Sequence, residues 1–158
     1  MKSKLMLPML YAVFVSGYAV AVDTAPKESL PENVNITVQL SVNRNQSANL
    51  TITNESGKFF QAASPFARNA VAFLVSDEYG NIVMPEGVAK VDPPSMTINL
   101  PVKKSSSFKF NNLKFVTGTA MFDYRFKPGK TYRVVAIYRP AGLNGPGFSS
   151  NESIVEFE

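Results

Sequence analysis

The side chains that carry most enzymatic chemistry are missing from this sequence. It contains no His and no Cys, which removes the base from Ser-His-Asp and Cys-His arrangements and excludes cysteine nucleophiles. The usual ligands of zinc, copper and haem sites go with them. Neither a G-x-x-x-x-G-K-[ST] run nor a G-x-G-x-x-G between a strand and a helix is present, so no phosphate cradle is read. Twelve Asp and Glu remain, and glycoside hydrolysis needs only two carboxylates. They fall in the leader, in turns and at the chain end, where acids are ordinarily solvated. Asp77, Glu78 and Asn81 offer oxygens to calcium, but they lack the alternate spacing and closing Glu of an EF-hand loop and read as turn chemistry. No catalytic residue, cofactor or metal is assigned. The expectation is a non-catalytic protein that works through its surface.

What positions that surface is legible from periodicity. The stretch "NVNITVQLSV" alternates, with Val34, Ile36, Val38, Leu40 and Val42 on one face and Asn35, Thr37, Gln39 and Ser41 on the other. Period two over such a run is a strand. "ANLTITN" repeats it with Leu50 and Ile52 facing in, and "NRNQS" supplies the turn between. "NAVAFLVSDEYGNIVMP" reads as a hairpin around Asp77 to Asn81, and "SMTINLP" as a short alternating strand. In "FKFNNLKF" the spacing breaks at Asn111-Asn112, which predicts a bulge or bend. "TGTAMFDYRF" fits either a further strand or a crossing segment. "TYRVVAIYR" and "SIVEFE" are the last strands, joined by a Gly- and Pro-rich loop. No segment carries apolar residues at helical spacing with caps at both ends.

The expected fold class is therefore all-β, an antiparallel two-sheet sandwich of about seven to nine strands. The 158 residues suffice for one domain, with a hydrophobic fraction of 45% and twelve Phe and six Tyr to fill its core. Its expected span is 33–158. Ahead of it, Lys2 and Lys4, the apolar run Leu5 to Val15 and the small-x-small Ala19-Val20-Ala21 read as a signal peptide over 1–21. An extended leader over 22–32 follows. The apolar run is too short for a membrane span, which needs about 20 residues, so no integral membrane segment is expected after cleavage. An exported, cysteine-free chain fits a bacterial periplasm or cell exterior. Without Lys2 and Lys4 the 16 basic residues become 14 against 12 acidic, so the formal charge falls from +4 to +2. Only Lys103-Lys104 are adjacent cations, so nucleic acid is not an expected partner. Asn35, Asn45, Asn49, Asn54 and Asn151 each begin an N-x-S/T sequon. Several lie in predicted strands, and they are read mainly as products of an Asn-, Ser- and Thr-rich composition, with glycosylation as the alternative.

The run "FKPGKTYRVVAIYR", followed by a loop and "SNESIVEFE", resembles the last two strands of immunoglobulin-like sandwich domains. The resemblance implies that Pro128 and Gly129 form the turn before a strand opened by Tyr132, whose hydroxyl bonds back to upstream backbone. Val134 stands where antibody domains place a Cys, so only the general sandwich carries over. Within that class, "LTITNESGKFF", "FLVSDEYGNIV" and "PGKTYRV" together are similar to bacterial Ig-like domains of the BsuPI proteinase-inhibitor type. A fainter similarity is to chagasin-type cysteine-protease inhibitors, through Arg139-Pro140 of "YRPAG", with Ala141 where an aromatic belongs. In such a sandwich three loops are expected at one end: "ESGKFFQAASPFARN", "PVKKSSS" and "PAGLNGPGFSSN". Phe59, Phe60 and Phe66 of the first read as a lid on the core or as apolar anchors for a protein partner. Arg139, Asn144 and Phe148 would flank that contact. The functional expectation is an exported module for protein binding or an accessory role, with a protease inhibitor and a structural subunit of a surface assembly as alternatives.

Overall fold

The computed structural model describes residues 34–93 and 95–158. The expected signal peptide and leader lie outside the described residues. Thirteen strands follow one another: β1 (Ile36–Val42), β2 (Ala48–Asn54), β3 (Phe60–Ala63), β4 (Val71–Asp77), β5 (Ile82–Val83), β6 (Glu86–Lys90) and β7 (Thr97–Leu100). Then come β8 (Ser105–Phe110), β9 (Phe115–Thr117), β10 (Ala120–Asp123), β11 (Thr131–Tyr138), β12 (Phe148–Ser149) and β13 (Ser153–Glu156). A single 3-10 turn, Gly142–Asn144, is the one helical element among the described residues. None of the described helical residues makes a helix long and apolar enough to cross a membrane.

The architecture is all-β, built from several antiparallel sheets. One sheet has the order β1-β2-β8, and another runs β12-β11-β4-β5 with β13 also paired to β11. Two smaller sheets, β6-β10-β9 and β3-β7, lie between these in sequence. The strand count exceeds the seven to nine read from periodicity for a local reason. Strands of two to four residues such as β5, β9 and β12 are too short to establish a side-chain period, and β6 is exposed at every position. "TGTAMFDYRF" resolves as the β9-β10 hairpin, whose turn holds Gly118 at φ 59°, a left-handed position that glycine adopts without steric cost.

Alternation decides what each sheet buries. In β1 and β2 every second residue is inside: Ile36, Val38, Leu40 and Val42, then Ala48, Leu50, Ile52 and Asn54. From the other sheet Phe73, Val75, Val134, Ala136 and Tyr138 point into the same hydrophobic cluster. The outward positions of β1-β2-β8 stand in three rows across the strands. Register places Thr37, Thr53 and Ser105 in the first row, Gln39, Thr51 and Ser107 in the second, and Ser41, Asn49 and Lys109 in the third. Thr51 and Ser107 share a hydrogen bond of 2.9 Å, and Thr53 and Ser105 one of 2.8 Å.

The two larger sheets meet along β1 by an unusual seam. Asn151 presents its side-chain amide to Leu40 as a strand would present its backbone: Oδ1 accepts the Leu40 N–H at 2.8 Å and Nδ2 donates to the Leu40 carbonyl at 3.0 Å. Two residues on, Ser153 Oγ accepts the Val42 N–H at 3.1 Å. The outer edge of β1 is thus satisfied by these side chains and one isolated parallel bridge, Val38 to Ser150, rather than by a continuous ladder.

Candidate functional site

The loop after β3 is fixed by its own backbone. The Ser64 N–H donates to Met96 O at 2.8 Å, Ala67 N–H to Ser64 O at 2.8 Å, and Ala70 N–H to Ala67 O at 3.2 Å. Asn69 ends it in the left-handed region, φ 61°, where Asn is tolerated because its short amide bonds locally. Its N–H donates to Val116 O, and its Oδ1 accepts the Gly118 N–H at 2.7 Å. Held at both ends, the loop sets the Phe66 ring 4.9 Å from that of Phe110 and 6.2 Å from that of Phe108.

Phe66 remains 45% exposed because it forms one wall of a cleft of about 310 Å³. Pro65, Val71, Phe110, Phe115, Val116 and Met121 supply the apolar lining, while Lys109, Asn111, Asn112 and Lys114 supply polar groups. The volume is at the small end for ligand sites and suits one or two side chains. Lys114 is paired with Asp123 at 3.4 Å. Beneath the cleft the rings continue inward: Phe110 meets Phe73 edge-on at 5.5 Å, Phe73 meets Phe115, and Tyr124, Phe126 and Phe157 extend the line. Phe66 is therefore the exposed end of an aromatic core.

The residues singled out from sequence separate. Phe60 is buried in β3 opposite Leu100, which corrects its reading as a partner anchor: strand pairing inside the presumed loop turns it inward. Phe59 is 56% exposed on the far side of β3, and a four-residue strand, about 13 Å long, stands between it and Phe66. Arg139 is half-buried and its N–H donates to Ala70 O at 2.7 Å. Asn144 is exposed in the 3-10 turn, and Phe148 packs against the core from β12. Neither lines the cleft. The three loops expected together divide between the ends of β3. Residues 101–104 bond to Asn54 and Glu55, whereas Pro140 O accepts the Ala63 N–H and Gly142 approaches Asn69.

Pro128 and Gly129 occupy a turn in which the Lys130 N–H reaches Lys127 O, with Gly129 at φ 70°. Tyr132 is buried, and its hydroxyl accepts the Lys127 N–H at 3.0 Å. Asp77 spends its carboxylate on its own turn: Oδ1 accepts from the Tyr79 and Asn81 N–H groups and Oδ2 from the Asn81 amide. That side-chain bond from Asn81 is the main cause holding the carboxyl below its usual range. Among the sequons, the amides of Asn54 and Asn151 are both engaged by carbonyls, while Asn35, Asn45 and Asn49 are exposed.

No protein-family model and no curated protein matches this chain. The BsuPI-like and chagasin-like resemblances thus have only the quoted turn sequences behind them. Sequence reasoning found Phe66 but missed Phe110, Phe115, Val116 and Met121 as its neighbours. The one available signal was the Asn111-Asn112 break, which falls at the cleft.

Proposed function

We propose that the chain is an exported, non-catalytic immunoglobulin-like module that binds a protein partner by taking an apolar side chain into the Phe66 cleft. The strand orders support the Ig-like reading: β1-β2-β8 corresponds to strands A, B and E, and β5-β4-β11-β13 to C′, C, F and G. Tyr132 at the start of β11 then stands at the F-strand position. Export rests on the charge and apolarity of residues 1–21.

The observation that carries the binding role is a half-exposed phenylalanine on a hydrogen-bonded loop, packed on a ring in the core, beside a concave apolar surface with a polar flank. Rigid aromatic anchors beside desolvated pockets are where binding energy concentrates. Panning a phage-displayed random peptide library against the purified protein tests it. Enriched peptides should share an aromatic or long aliphatic residue and bind the Phe66→Ser variant at least about 30-fold more weakly, the equivalent of about 2 kcal/mol. Peptides that bind Phe66→Ser and the parent equally would refute the cleft as the contact. Far-UV dichroism of the variant confirms that the fold is retained.

A further inference from the structure

We propose that the outer face of β1-β2-β8 is a second binding site, separate from the Phe66 cleft, and that its ligand is an uncharged polysaccharide. The face carries a shallow depression of about 410 Å³ lined by Gln39, Leu40, Ser41, Asn49, Thr51 and Asn151. Every side chain there apart from Leu40, whose own side chain is buried, is an amide or a hydroxyl, and none is charged. Asn151 is committed to the Leu40 backbone and Thr51 to Ser107. Gln39, Ser41 and Asn49 make no side-chain hydrogen bond within the described residues and stand exposed side by side, with Ser41 directly opposite Asn49 and Gln39 opposite Thr51.

Charge selects the class of ligand. Of the charged residues between positions 34 and 158, only Lys109 occupies one of the nine outward positions in the three rows. A polyanion needs several cations along its path, and this face offers one. A protein interface needs an aromatic or aliphatic centre, and no outward position of the three rows supplies one. What remains is a lattice of donors and acceptors about 4.8 Å apart across the strands. Each amide presents a donor and an acceptor together, which matches neighbouring hydroxyls on a sugar ring, each able to give and accept. Without an aromatic platform each ring is held weakly, so useful affinity comes from many rings of one polymer meeting the rows in succession.

The test is migration of the purified protein in native gels containing laminarin, dextran, mannan or hydroxyethyl cellulose, with alginate as the polyanion. Retardation by at least one neutral polymer is expected, and it should survive about 0.5 M salt, where exposed charges are largely screened. The Gln39→Ala/Asn49→Ala double variant should bind at least about tenfold more weakly, a loss equal to about 1.4 kcal/mol. Leu74→Ser, on the outer face of β4, should leave retardation unchanged. The proposal is overturned if no neutral polymer retards the protein, if only alginate does and salt abolishes it, or if the double variant is retarded as strongly as the parent. Phe66→Ser tested alongside separates the two sites: it should impair peptide binding and leave retardation intact.

Discussion

Replacing Asn54 by alanine should cost about 3 kcal/mol of stability, although the change touches no apolar contact that composition would single out. Asn54 is fully buried at the end of β2 and joins three segments. Its Nδ2 donates to Leu100 O at 2.8 Å and to Lys58 O at 2.9 Å, and its Oδ1 accepts the Ser56 N–H at 2.9 Å and the Ser56 hydroxyl. Alanine removes all four bonds, but their costs differ. Leu100 is fully buried, so its carbonyl loses its side-chain donor out of reach of water, at about 1–3 kcal/mol. Ser56 is half-buried and should contribute about 1 kcal/mol, while Lys58 is exposed and its carbonyl returns to solvent. A loss of about 3 kcal/mol should lower the melting temperature by roughly 10 °C in a domain of this size. Urea titration of both proteins measures the difference directly. A loss below about 1 kcal/mol, with the denaturant slope unchanged, would show that Leu100 O finds another donor and would sink the argument.

Three other outcomes follow from the same structure. Tyr132→Phe deletes the bond from the Lys127 N–H and should destabilise by about 1 kcal/mol, measured by the same titration. Gly129→Ala forces a Cβ into φ 70° and should cost about 1–2 kcal/mol, whereas Gly57→Ala, with open space around its Cβ and no positive φ, should be near neutral. Burial pushes the Tyr124 hydroxyl up to about 12, and pushes that of Tyr138 up as well. An unfolded tyrosine loses its proton near pH 10. Above that pH the unfolded chain holds fewer protons than the folded one, so stability should fall as pH rises from about 10 to 12. Stability plotted against pH, from denaturant titrations across that range, should fall less steeply for Tyr124→Phe.

Much of the frame was readable because long strands carry a period. β1, β2 and β11 bury alternate residues, and parity alone put Leu50 and Ile52 inside. The same parity extends to Asn54, two residues beyond Ile52, but a polar side chain on an inward position gives no hint of which carbonyls it meets. β3 was hidden by its setting, since four residues inside a stretch with Gly, Ser, Pro and Asn look like more loop. β6 has no buried residue and therefore no pattern to detect. The cleft brings residues 65–71 against 109–121, and nothing local to either segment encodes that approach. Phe66 drew notice as excess apolar matter in a loop. Phe60 drew it for the same reason and proved to be core, because exposure depends on pairing with β7 rather than on the neighbouring sequence.

The seam at β1 bears on the order in which the molecule can form. The bonds from Asn151 and Ser153 to Leu40 and Val42 each span 111 positions of chain, so the first strand gains its outer partners only once nearly all the rest exists. Loops of that length close slowly, and topologies rich in such pairings fold in milliseconds to seconds. On a ribosome, β1 and β2 can meet early through their short turn, yet β1 waits with an open edge until residues 151–153 emerge. The asparagine side chain that completes that edge thus keeps the first strand of the fold waiting for nearly the last of the chain.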